Sequence, residues 1–212
     1  MKKWRNLVLA LLPVFVVAFA AAPSAGTTSD ASFDRLKVEG GGISFEYPAR
    51  WTVMPRTKAE LRRQQRALQK EDPRLAQLLA DSAQLDLQPT TVKARVLDLQ
   101  GYLLGQYTGG IRVYVHTDGS LPATLEEYTS RFVLVEDLAN ATLLDATTKT
   151  IDGRKVGYRV DMRRTIEGTS GDVRITWLTV PRPGGDVSVH LTVVGTTDES
   201  LIDRIVDGVH LK

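Results

Sequence analysis

The sequence predicts an α+β fold: an antiparallel β-sheet of six or seven strands flanked by helices. Three observations predict it. Stretches alternating apolar and polar residues recur along the chain, the pattern of half-buried strands. Between them lie segments with helical spacing and recognisable caps. The second half reads as a meander of hairpin-linked strands closed by a helix, a layered arrangement of sheet and helices.

Residues 1–25 carry the marks of a signal peptide. Lys2, Lys3 and Arg5 precede an uncharged apolar run from Leu7 to Ala22, and small residues follow at Ala20, Ala21, Ala22, Ser24, Ala25 and Gly26. That order is what secretory targeting requires. The run is about 16 residues, short of the roughly 20 that span a bilayer, so cleavage is expected, between Ala22 and Thr28. There is no cysteine, which excludes a lipid anchor at the cleavage point, disulfides and thiol chemistry. The expectation is an extracytoplasmic protein of a bacterial cell envelope, not lipid-anchored. Removing the three N-terminal cations leaves 24 Lys plus Arg against 25 Asp plus Glu, a net charge of −1. Such a balance gives no global attraction to nucleic acid.

Gly26–Asp34 is small and polar and reads as a linker; a single domain is expected over 35–212. Ile43, Phe45 and Tyr47 alternate with Ser44 and Glu46, a strand that Pro48 ends. Gly40-Gly41-Gly42 precedes a strand and no helix, so it is no phosphate-binding loop. Lys58–Lys70 is rich in helix formers, and Asp72-Pro73 restarts a helix to about Ala83, Asp72 as cap and Pro73 in first position. Leu61, Leu68, Leu75 and Leu79 form a narrow apolar stripe, with Arg62, Arg63, Arg66 and Lys70 on the other side. This basic face is expected to be exposed and to offer weak contact with an anionic membrane or cell-wall surface.

Val92, Ala94 and Val96 mark one strand, and Ile111, Val113 and Val115 another. The segment Gly101–Gly110 between them holds four glycines with Tyr102 and Tyr107. Tyrosine gives large contact area with few rotors and a polar tip. Tyr102 and Tyr107, extended by Arg112 and Tyr114, therefore form the candidate partner or ligand surface. The alternative is a strand continuing into the core, with the glycines at bulges. Thr124 and Glu127 fit a capping box for a helix whose inner face is Leu125, Tyr128, Phe132, Val135 and Leu138. Strands at 142–150 and 155–163 flank Ile151-Asp152-Gly153-Arg154, a hairpin signal. Strands at 173–180 and 187–194 follow, then a helix with Asp198 as cap and Leu201, Ile202, Ile205 and Val209 inward.

Catalytic and metal signatures are weak. His116, His190 and His210 do not pair at ligand spacing, and His116-Thr117-Asp118 supplies two ligands where a site needs three or four. No Gly-x-Ser-x-Gly is present. Glu126-Glu127 and Glu136-Asp137 are adjacent pairs, which on a helix do not share a face. The reading is a non-enzymatic, monomeric binding or accessory module with no cofactor and no metal, its partner another envelope protein or a small ligand. An envelope enzyme with an unrecognised site is the competing class.

The opening Gly42-Ile43-Ser44-Phe45-Glu46-Tyr47-Pro48, followed by Trp51-Thr52-Val53, resembles the start of PsbP-like superfamily domains. The Asp152-Gly153-Arg154 hairpin, two long late strands and a terminal helix ending in His210-Leu211-Lys212 are similar too. Within the superfamily the chain looks most similar to actinobacterial LpqN-type exported proteins. The resemblance implies an α/β/α sandwich and a non-catalytic, partner-binding role, and it carries no functional residue across. The helical pair at about 56–83 looks like an insertion.

Overall fold

The computed structural model describes residues 32–40, 42–83, 92–105, 109–116, 124–133, 141–153, 155–165, 172–180, 186–194 and 199–211. The segment read as a signal peptide lies outside them. Among the described residues ten strands and five helices follow in the order β1 (Phe33–Val38), β2 (Ile43–Pro48), β3 (Thr52–Val53), α1 (Lys58–Glu71), α2 (Pro73–Ala83), β4 (Val92–Leu97), α3 (Leu99–Leu103), β5 (Gly109–His116), α4 (Leu125–Val133), β6 (Ala141–Ile151), β7 (Lys155–Thr165), β8 (Asp172–Val180), β9 (Asp186–Val194), α5 (Glu199–Asp207) and β10 (His210–Leu211).

The class is α+β as expected, but the strands form two sheets. Seven make one sheet in the order β3-β4-β5-β9-β8-β7-β6, and three make another in the order β1-β2-β10. All pairings are antiparallel. The expectation of one sheet is corrected because β2 is satisfied on both edges by other strands. Phe33–Val38 pairs along it from one side, and His210–Leu211 from the other. Two further corrections follow. A strand begins at Phe33, inside the stretch read as linker, and His210–Leu211 is a strand where a helix end was expected.

Alternation dictates which faces are covered. Ile111, Val113, Leu178, Val180, Val189 and Leu191 point from the large sheet into one cluster with Ile43, Phe45 and Trp51 of the small-sheet side and Ile202, Ile205 and Val206 of α5. Neighbours of opposite parity face the other way. Leu97 joins Met54, Leu99, Leu79 and Ala83 under α1 and α2, where Leu61, Leu68 and Leu75 also pack. Val160, Met162 and Trp177 make a third cluster with Leu125 of α4. One face of the large sheet thus carries α5 and the small sheet, and the other carries the α1–α2 pair and α4. Among the described residues no helix is long and apolar enough to cross a membrane.

Candidate functional site

The α1–α2 arm is built by two caps and a seam. The Thr57 hydroxyl accepts from the Glu60 amide at 3.1 Å, and the Glu60 carboxylate accepts from the Thr57 amide at 3.1 Å and the Arg56 amide at 2.7 Å. Asp72 then closes α1 and opens α2. Its amide donates to the Leu68 carbonyl at 2.7 Å, and its carboxylate accepts from the Arg74 and Leu75 amides at 2.9 and 3.1 Å. The leucine seam packs down. Lys58, Arg62, Arg66 and Lys70 face outward at intervals of four residues, with Arg63 and Arg74 beside them, and all six are exposed. At 1.5 Å per residue, successive cations in the row stand about 6 Å apart along the axis.

No carboxylate among the described residues lies in ion-pair contact with any of the six. Two of the nearby acids are spent elsewhere: Glu60 and Asp72 hold backbone amides. The exposed contact of Arg66 Nε is with the Arg62 carbonyl, at 3.1 Å. Like charges four apart on a helix repel by about 0.2–0.5 kcal/mol per pair, so the row is a local cost to the fold.

The tyrosine surface is placed differently from the expectation. Residues 99–103 form a short helix, α3, in place of either a loop or a continued strand. Asp98, fully buried, caps it by accepting from the Gly101 amide at 3.0 Å. A Cβ at Gly101 would stand 2.2 Å from Asp98 Oδ2, so a larger residue there must displace the buried carboxylate. Tyr102 is half-buried on α3, Arg112 is half-buried on β5, and Tyr114 is buried at 8% exposure. Tyr114 is therefore corrected from surface to interior: it does leave β5 opposite Val113, but that face is itself covered. Tyr102 is carried by α3 and Tyr114 by β5, where it pairs with Val92 of β4. Tyr107 lies outside the described residues. Leu103 and Leu104 are the exposed large apolar residues among those described in this segment, at 37% and 65%.

A hollow of about 580 Å³ lies along α5, lined by Glu46, Ser200, Asp203, Arg204, Asp207, Gly208 and His210. Arg204 lies over the Phe33 ring, 3.8 Å from its centroid, and the other charges are paired. Arg159 bridges Asp161 and Asp203 at 2.7 and 2.8 Å, Arg35 reaches Glu46 at 2.8 Å, and Lys149 pairs with Asp207. Burial opposes the Arg159 charge, but its bonds to Asp203 and Asp161 outweigh that and raise its pKa. Asp161 also accepts from Thr176 Oγ1 at 2.5 Å. His210 Nδ1 meets Asp152 at 2.8 Å while Nε2 meets Arg35 at 3.2 Å. These contacts tie α5 to β6 and β7, and β10 to β1 and the β6–β7 turn. Among the described residues no group of three candidate metal ligands occurs. Glu126 and Glu127 are exposed; residues 117–118 and 136–137 lie outside the description.

No family model matches the chain, and no curated protein matches it. Solved structures similar to it include PsbP (CyanoP) from Synechocystis sp. PCC 6803, 17% identical with a TM-score of 0.49 over 90% of this chain and 98% of that one. The Ran-binding protein Mog1p of Saccharomyces cerevisiae is 13% identical with a TM-score of 0.49, over 86% and 96%. LpqN of Mycobacterium tuberculosis, involved in cell envelope biogenesis, is 10% identical with a TM-score of 0.41, over 87% of each chain. A PsbP and LpqN thus stand among the similar structures, in line with the resemblance drawn from the opening motif.

Proposed function

We propose that the chain is an exported, non-enzymatic binding module of the bacterial cell envelope, and that the basic face of α1 and α2 is its binding surface for an anionic polymer. One observation carries the reading: six exposed cations, four of them in single file, with no carboxylate of the described residues against them. A row spaced about 6 Å matches a linear polyanion, which can lay successive charges along a helix axis. The same charges on a globular protein of balanced composition give local attraction without global stickiness. Leu61 and Leu68 are packed inward, so α1 has no large apolar side chain of its own to enter a bilayer.

The experiment is binding of a linear polyphosphate at rising salt, with Arg62→Gln/Arg66→Gln/Lys70→Gln as control. Affinity should fall steeply with salt, because screening shortens to about 8 Å at physiological ionic strength, and the triple variant should lose it. Absence of binding at low salt overturns the reading. The exposure of Leu103 and Leu104, at the C-terminal end of a helix that packs beside α2, favours a second reading, attachment to an anionic membrane. Leu104→Asp separates the two: it should weaken binding to anionic vesicles and leave polyphosphate binding unchanged.

A further inference from the structure

The edge of the large sheet carries an inference independent of the basic face. β6 is the terminal strand, 11 residues long, and among the described residues no strand pairs with its outer side. An unprotected edge presents a row of free backbone donors and acceptors and is ordinarily kept short, charged or covered. This one is long, and seven of its residues are exposed: Thr142, Leu143, Leu144, Asp145, Thr147, Thr148 and Thr150. Leu143 and Leu144, at 45% and 44% exposure, are two of the large apolar side chains that the described surface leaves in water.

Charge along the strand says what the edge takes. Asp145 lies directly opposite Asp161 of β7, a like charge, and its side chain is hydrogen-bonded to the Ala146 amide, with no cation beside it among the described residues. Lys149 is four positions on, with the same parity on the strand, and holds Asp207 with one of its three donors. An antiparallel copy of β6 centred on Thr147 places Asp145 opposite Lys149 of the partner subunit, and Lys149 opposite the partner subunit's Asp145. The strand is therefore complementary to itself about a two-fold axis, the condition for an isologous interface. In that register Ala146 falls opposite Thr148 of the partner subunit. The bulge at Leu143–Asp145 ends the regular stretch.

We infer that β6 is a homodimerisation edge, joining two large sheets through antiparallel β6–β6 pairing centred on Thr147. This departs from the monomer expected from the sequence. The purified protein should show a concentration-dependent monomer–dimer equilibrium in sedimentation velocity, weakened by salt. Asp145→Lys and Lys149→Asp should each raise the dimer dissociation constant about tenfold or more, because two attractive cross-strand pairs become two repulsive ones. Circular dichroism on each variant separates lost pairing from lost folding. Mixing the two variants is the decisive arm. The lysine introduced in one chain then faces the aspartate introduced in the other, and the remaining native Lys149 faces the remaining native Asp145. A one-to-one heterodimer should therefore form where neither variant self-associates. A protein monomeric at every concentration, a dimer indifferent to both substitutions, or a mixture that stays monomeric overturns the inference. Were a strand of another protein the natural occupant of this edge, the first of these results would be seen.

Discussion

Asp98 and Gly101 show how one contact decides a local conformation. The buried carboxylate accepts from the Gly101 amide and stands in the space that a Cβ on residue 101 would take. Gly101→Ala should therefore cost about 1–3 kcal/mol in denaturant unfolding, and less in an Asp98→Ala background, a non-additivity that identifies the pair. Gly153 makes the contrast. It has positive φ and open space around it, so Gly153→Ala should cost about 1 kcal/mol, from backbone strain alone. The hairpin glycine was legible because Asp-Gly is a local signal. The α3 turn was not, because four glycines and two tyrosines in ten residues fit a loop, a bulged strand or a helix equally well, and the deciding partner is a buried charge. The placement of Tyr114 has the same origin: alternation said which side of β5 it leaves, and only the packing of other elements says that this side is covered.

At the scale of elements, the α1–α2 arm was the most readable part of the chain. Its leucine spacing, the Asp72-Pro73 restart and the outward cations are all local patterns. The Thr57–Glu60 capping box completes it, and Thr57→Ala should destabilise the protein by about 1 kcal/mol. The arm also separates stability from binding. Arg62→Gln/Arg66→Gln relieves like-charge repulsion along α1, so the melting temperature should hold or rise slightly while polyphosphate binding falls. A fall in melting temperature would mean that these arginines serve the fold. The sheet partition was less readable. Strand existence follows from periodicity, but β2 offers the same alternation whichever strand flanks it, and the short β10 has too few residues to show a period at all.

For the whole molecule, Asp152 is a joint between the two sheets. It sits at the tip of the β6–β7 hairpin, accepts from the Leu211 amide at 2.6 Å and contacts His210 at 2.8 Å. Asp152→Ala should cost about 1 kcal/mol, allowing for partial solvent screening, and should speed hydrogen exchange at β10 well before it affects β8 or β9. Removal of residues 209–212 should cost considerably more, since Val209 is buried in the main cluster. The pairing of β2 with β10 also governs the order in which the molecule is made. β2 is synthesised well before β10, and the pairing of Ser44 with His210 joins residues 166 positions apart (210 − 44). Contacts so distant in sequence form late because the intervening loop must first be closed. The small sheet is thus a latch that cannot shut until β10 has been made.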